Sequence, residues 1–95
     1  MKLILYSKPG CHLCEGLQEK LEQIESLNFE LEIRDITSQE VWFQQYQYEV
    51  PVLCKVELPD RAVPESQGRE QPLPRPSPRV SVRQLEKMLQ KYLGE

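Results

Sequence analysis

The sequence predicts an α/β fold in the order β-α-β-α-β-(β)-α, and three observations predict it. A short apolar run, Leu3-Ile4-Leu5-Tyr6, gives way through Pro9-Gly10 to apolar residues at helical spacing. Phe29, Leu31 and Ile33 alternate with Glu30, Glu32 and Arg34, the period of two that marks a strand. Two further amphipathic segments each open on a Thr or Ser placed three residues before a Glu or Gln, which is the pattern of a helix start.

Lys2 to Tyr6 is too short for a helix, and its unbroken apolar character predicts a strand buried on both faces. The next helix is predicted from about His12 to Ser26. Cys14, Leu17, Leu21, Ile24 and Leu27 form its apolar stripe, and Glu15, Gln18, Glu19, Lys20, Glu22 and Gln23 its wet face. Gly16 costs ~1 kcal/mol against Ala in a helix interior, so it implies close approach of another element or a tolerated defect. The strand around Phe29 to Arg34 has one polar face, which suits a position near the sheet edge. Thr37 and Glu40 form a capping box, with Ile36 and Val41 as its hydrophobic staple, and predict a helix from about Ser38 to Tyr46. Trp42 and Phe43 cannot both face inward in it.

Val50 to Val56 reads as the third strand, with Pro51 at its start, where the missing amide is tolerated. Glu57 to Arg79 holds six of the eight prolines and reads as a long loop with a short edge strand near Gln71 to Leu73. Pro72, Pro74, Pro76 and Pro78 are spaced by two, so they offer no PxxP register. Ser81 and Gln84 form a second capping box, stapled by Val80 and Leu85. Val82, Leu85, Met88, Leu89 and Tyr92 then repeat at helical spacing.

With 39% hydrophobic and 28% charged residues, the 95-residue chain fits one globular domain over residues 1–95, carrying a proline-rich insertion at about 57–79. A net charge of −3 and the lack of a basic stripe argue against a nucleic-acid partner. No stretch approaches the ~18 apolar residues of a membrane span, and the first apolar run is too short for a signal peptide. The expectation is a cytoplasmic monomer. In that compartment a cysteine pair is catalytic, redox-sensing or metal-binding rather than a structural staple.

Cys11 and Cys14 stand where the first strand turns into the first helix. A helix N-terminus favours an anion, so the Cys11 thiol is expected to ionise below the ~8.5 of a free cysteine, with Lys8 adding positive field. Cys14 lies a turn deeper on the apolar stripe. Cys11 then attacks a disulfide, and Cys14 displaces the product. Cys-x-x-Cys also fits half a zinc site, but the chain offers only Cys54 and His12 besides the pair, and the strand-turn-helix setting favours redox chemistry. No metal ligands are therefore assigned. His12 reads first as an exposed helix-start residue, with tuning of the Cys11 thiolate as the alternative. Cys54 reads as a buried strand residue, and Arg75 and Arg79 as solvated loop residues rather than an anion site.

Tyr6-Ser7-Lys8-Pro9-Gly10-Cys11-His12-Leu13-Cys14 resembles the active-site segment of glutaredoxins. Pro74-Arg75-Pro76-Ser77-Pro78-Arg79 is similar to a segment of a glutaredoxin-like subfamily found in cyanobacteria and other lineages. The resemblance covers nearly the whole chain apart from the region around Leu58 to Glu70. It implies a thioredoxin-like fold, with a central mixed four-stranded sheet flanked by helices, and a thiol–disulfide oxidoreductase that needs no bound cofactor. It implies that Cys11 is the nucleophile and Cys14 the resolving thiol, and that Lys8 binds the glycyl carboxylate of glutathione. Val50 would offer its backbone to the substrate cysteine and Pro51 would be cis. Glutathione, disulfide-containing proteins, or both would be the partners. His12-Leu13 stands where glutaredoxins usually carry Pro-Tyr, Glu49 where they carry Thr, and the usual Gly-Gly is absent. The reading from another class is a redox-silent binding module that uses the Pro51 groove and the Glu57–Arg79 insertion to hold a partner.

Overall fold

In the computed structural model, which describes residues 2–25, 27, 29–57 and 69–93, strand β1 (Lys2–Ser7) lies inside a four-stranded sheet. On one side β1 pairs in parallel with β2 (Glu30–Asp35), from Lys2 opposite Glu30 to Ser7 opposite Asp35. On its other side it pairs antiparallel with β3 (Val52–Glu57), which pairs antiparallel with β4 (Arg69–Pro72). The sheet order is β2-β1-β3-β4, so β2 and β4 are the edges. Helices α1 (His12–Glu22), α2 (Glu40–Tyr46) and α3 (Val82–Leu93) flank the sheet. This mixed sheet with its helices is the thioredoxin-like arrangement expected from the sequence.

The unbroken apolar run of β1 explains the layering. Leu3 and Leu5 point to one side, into a core with Leu17 and Leu21 of α1, Leu53 of β3, and Leu85 and Leu89 of α3. Ile4 and Tyr6 point to the other, into a cluster with Ile36 and Cys54 that Trp42 and Tyr46 of α2 partly cover. Each fully buried Leu contributes about 2 kcal/mol of apolar transfer, so β1 is the anchor of both layers. Arg34 completes the second layer. It donates to Glu32, to the Tyr6 hydroxyl at 2.9 Å and to Glu70 at 3.1 Å, and it lies over the rings of Tyr6 and Trp42. Tyr6 in turn donates to Glu70. A hydrogen-bonded chain thus links edge strand β2 through β1 to edge strand β4. Burial, with the Glu70 carboxylate nearby, pushes the Tyr6 hydroxyl pKa up. Bonds from Lys2 and Arg34 hold the Glu32 carboxyl low.

The second capping box is present as read. Ser81 Oγ accepts the Gln84 amide and the Gln84 side chain accepts the Ser81 amide, both at 3.1 Å. Lys55 from β3 donates to the Tyr92 carbonyl at 2.9 Å near the other end of α3, where a cation suits the helix dipole.

Several readings are corrected or narrowed. The first capping box does not form. Asp35 accepts both the amide and the hydroxyl of Thr37, at 2.9 and 2.6 Å, and winds Ile36–Ser38 into a 3-10 turn instead. The helix α2 begins only at Glu40, behind Gln39, which makes no side-chain cap bond, and Val41 is 72% exposed rather than stapled. Gly16 meets nothing within 4 Å of where a Cβ would stand, so no neighbouring backbone requires it. The first helix closes at Glu22, because the Gln23 amide turns back to the Lys20 carbonyl. The third strand begins at Val52, two residues after Val50. Leu73, placed in the edge strand, follows it, though its amide still reaches the Leu53 carbonyl at 2.8 Å. Of Trp42 and Phe43, Trp42 faces inward and Phe43 is exposed. Leu58 to Gly68 of the proline-rich region lie outside the described residues. Among the described residues no helix is long and apolar enough to cross a membrane.

Arg34→Ala is expected to lower unfolding free energy by about 2–3 kcal/mol in chemical denaturation, because Tyr6 and Glu70 lose their shared cation. Arg34→Lys should recover less than half of that loss, since an ammonium cannot span three acceptors and lie over two rings. Ser81→Ala should cost about 1 kcal/mol in the same measurement.

Candidate active site

The turn Lys8-Pro9-Gly10-Cys11 carries the chain from β1 into α1. The Cys11 amide bonds the Lys8 carbonyl at 3.3 Å, and Gly10 has φ +77°. Proline then glycine at the two central positions is the pattern of a type II turn, whose second central residue needs a positive φ. Cys11 follows as the extended N-cap of α1, at φ −92° and ψ 101°. Its Sγ accepts the Cys14 amide at 3.2 Å, the place a Ser or Asp oxygen takes in an ordinary cap. Cys11 is half-buried, whereas Cys14 is 2% exposed on the stripe with Leu17 and Leu21. The two are joined as a disulfide, with Cα atoms 5.3 Å apart.

The antiparallel pairing of Tyr6 with Val52 brings the start of β3 to the same end of the sheet. There the Val50–Pro51 bond is cis, and Pro51 shares a groove with Leu13 and Leu17 of α1. Val50 was expected to offer its backbone to a substrate; its amide is already bonded to the Tyr46 carbonyl at 3.1 Å, so that donor is used within the chain. Lys8 Nζ reaches the Gln47 carbonyl at 3.4 Å, a long and exposed bond.

His12 stands on the first turn of α1 with its ring 94% exposed and Nδ1 3.7 Å from Glu15, so it faces solvent and that carboxylate. Cys54 lies fully buried on β3, in the cluster with Tyr6 on the α2 side of the sheet. Burial, reinforced by the Glu70 charge, pushes its thiol up to about 11. The structure thus gathers Lys8, Cys11, Cys14, Val50 and Pro51 at one end of the sheet and keeps Cys54 apart from them in the core.

Two contributors escaped the sequence reading. Arg75, read as a solvated arginine, donates to the carbonyl of Glu49, one residue before Val50. Leu13 was noted only as a departure between the cysteines. It is 55% exposed and lines the groove beside Pro51. The signal for Arg75 was its place between two prolines directly after the last strand, on a loop that must return over the cis-proline. Among the described residues no group of three or more His, Cys, Asp or Glu is placed to hold a metal ion.

A model of the family described as glutaredoxin-like domain (DUF836) matches residues 2–90. No curated protein and no solved structure matches the chain.

At pH 8 a thiol with the Cys54 value is only ~0.1% ionised. In the folded, oxidised protein an aromatic disulfide reagent should therefore find no reactive thiol. Unfolding in denaturant should release one fast-reacting equivalent, Cys54. Rapid labelling without denaturant would contradict this placement.

Proposed function

The chain belongs to the glutaredoxin-like family, and from that membership we propose that it is a thiol–disulfide oxidoreductase in which Cys11 is the nucleophile and Cys14 the resolving thiol. The observation that carries this reading is the Cys14 amide directed at Cys11 Sγ at the head of α1, with Cys14 itself buried behind it. An amide that meets a neutral sulfur there bonds a thiolate more strongly, because hydrogen bonds to ionised acceptors are about twice as strong. Exposure and ionisation favour attack by Cys11, and burial keeps Cys14 in reserve.

The chemistry runs in two displacements. The Cys11 thiolate attacks one sulfur of a substrate disulfide, forms a mixed disulfide and expels the other sulfur as a thiolate, which takes a proton. Cys14 then loses its proton and attacks the Cys11 sulfur. The second substrate thiolate leaves and the Cys11–Cys14 bond closes, as it stands in the structure. The substrate gains two electrons and two protons. Two molecules of glutathione, the co-substrate we assign, return the pair to the dithiol and leave as glutathione disulfide.

The other residues position these partners. Lys8 is suited to a glutathione carboxylate, since its bond to the Gln47 carbonyl is long, exposed and cheaply exchanged. Pro51 supplies a wall beside the reactive pair, and Val50 offers its carbonyl to the substrate backbone. His12, solvent-facing, is given no step. A dithiol cycle of this kind belongs in a reducing compartment, and we assign the cytoplasm.

The test is reduction of a glutathionylated peptide coupled to glutathione reductase. Wild-type protein should turn over, Cys11→Ser should lose at least ~100-fold, and Cys14→Ser should accumulate a mixed disulfide visible by mass spectrometry. Turnover with thioredoxin reductase but not with glutathione would keep the oxidoreductase and remove glutathione. No turnover with either, and no mixed disulfide on Cys14→Ser, would overturn the reading.

A further inference from the structure

Beside the reactive pair runs a groove of about 430 Å³, counting its open mouth. Leu13 and Leu17 of α1 line it together with Pro51 and Pro76. Leu13 lies between the two cysteines, so whatever is joined to Cys11 has its neighbouring residues within reach of this groove. Its charge is one-sided. Lys20 and Arg75 line it, and among the described residues no acidic side chain does, in a chain whose net charge is −3. Both cations are held in place by donating to backbone carbonyls, Lys20 to Pro78 at 3.0 Å and Arg75 to Glu49. Those bonds fix the cations without neutralising them. Glu49, whose backbone carbonyl Arg75 binds, lines a neighbouring hollow that Arg75 also borders.

Resting on the oxidoreductase reading above, we propose that this groove selects a polypeptide disulfide whose reactive cysteine is flanked by an aliphatic side chain within an acidic stretch. The aliphatic group fills the slot that Leu13 and the prolines line, and the flanking carboxylates meet Lys20 and Arg75. Glutathione has no aliphatic side chain on either side of its cysteine, so it leaves the slot empty. It serves the site as reductant, and the polypeptide serves as the disulfide that is reduced. The bonds made and broken are those of the two displacements already given. The dithiol supplies both electrons, and two cysteine thiols of the polypeptide are released.

The test is a single-turnover reaction of fully reduced protein with excess disulfide, so that no external reductant enters. Four disulfides serve as probes. They are the homodimer of a cysteine peptide with Leu beside the cysteine and Glu on both flanks, its Ser-for-Leu counterpart, its Lys-for-Glu counterpart, and glutathione disulfide. Each rate constant is normalised to the reaction of the same disulfide with dithiothreitol. The Leu peptide should react about tenfold faster than the Ser peptide, a discrimination typical of an apolar pocket. It should also outpace glutathione disulfide. The Lys-for-Glu peptide should react more slowly at low salt, and that gap should close near 1 M salt, where the screening length is ~3 Å. Leu13→Ser, at an exposed position, should bring the Leu-to-Ser ratio close to one.

A wild-type ratio near one, or a ratio that survives Leu13→Ser, would overturn the slot. Glutathione disulfide as the fastest probe would make a glutathione adduct the occupant instead. Equal rates for the Glu and Lys peptides would remove the charge recognition. Reaction with none of the four disulfides would strike the oxidoreductase reading itself, a result distinct from equal reaction with all.

Discussion

One backbone arrangement carries the chemistry proposed for the molecule: a proline–glycine turn that delivers Cys11 to the N-cap of α1 with the Cys14 amide aimed at its sulfur. Positive φ at Gly10 lets the chain reverse there without strain. The turn holds because both its ends are anchored. Before it, β1 is buried on both faces and paired on both edges. After it, Cys14, Leu17 and Leu21 pin α1 to the sheet. A helix start that is free to fray would offer its amides to water. One fixed on a packed helix offers them to sulfur.

The surrounding loops are braced in a common way. Arg75 donates to the Glu49 carbonyl and Lys20 to that of Pro78. Each links segments far apart in sequence, and together they tie α1, the cis-proline segment and the loop before α3 to one another. Cation-to-carbonyl bonds suit this task. They satisfy carbonyls that no helix or strand uses while leaving positive charge at the rim. On the other face of the sheet Arg34 binds two edge strands through Tyr6, which compensates for an α2 of only two turns.

Much of this was legible in the chain. The apolar run of β1 foretold burial on both sides, because a strand with no polar face has none to give to water. The Ser81–Gln84 box foretold the start of α3, because both partners are local. The cysteine pair was expected where the first strand turns into the first helix, and it stands there, with Cys11 as the N-cap of α1. The failures share a cause as well. Thr37 and Glu40 matched a capping box, but Asp35 competes for the same hydroxyl and amide from closer range. Arg75 and Leu13 matter through neighbours that lie across the fold, and no local pattern encodes a carbonyl 26 residues upstream. Arg34 looked like the polar face of an edge strand. Its acceptors on β1 and β4 become neighbours only once the sheet order is set.

The central proposal is that the head of α1 favours the Cys11 sulfur as an anion once the disulfide is opened, and the most direct measurement is the alkylation rate of Cys11 against pH in the Cys14→Ser protein. A free cysteine of pKa ~8.5 loses roughly 90-fold in rate between pH 9.5 and pH 6.5 as its thiolate is protonated. Cys11 is expected to lose less than about tenfold over that range. A decline that matches the free amino acid would contradict the account.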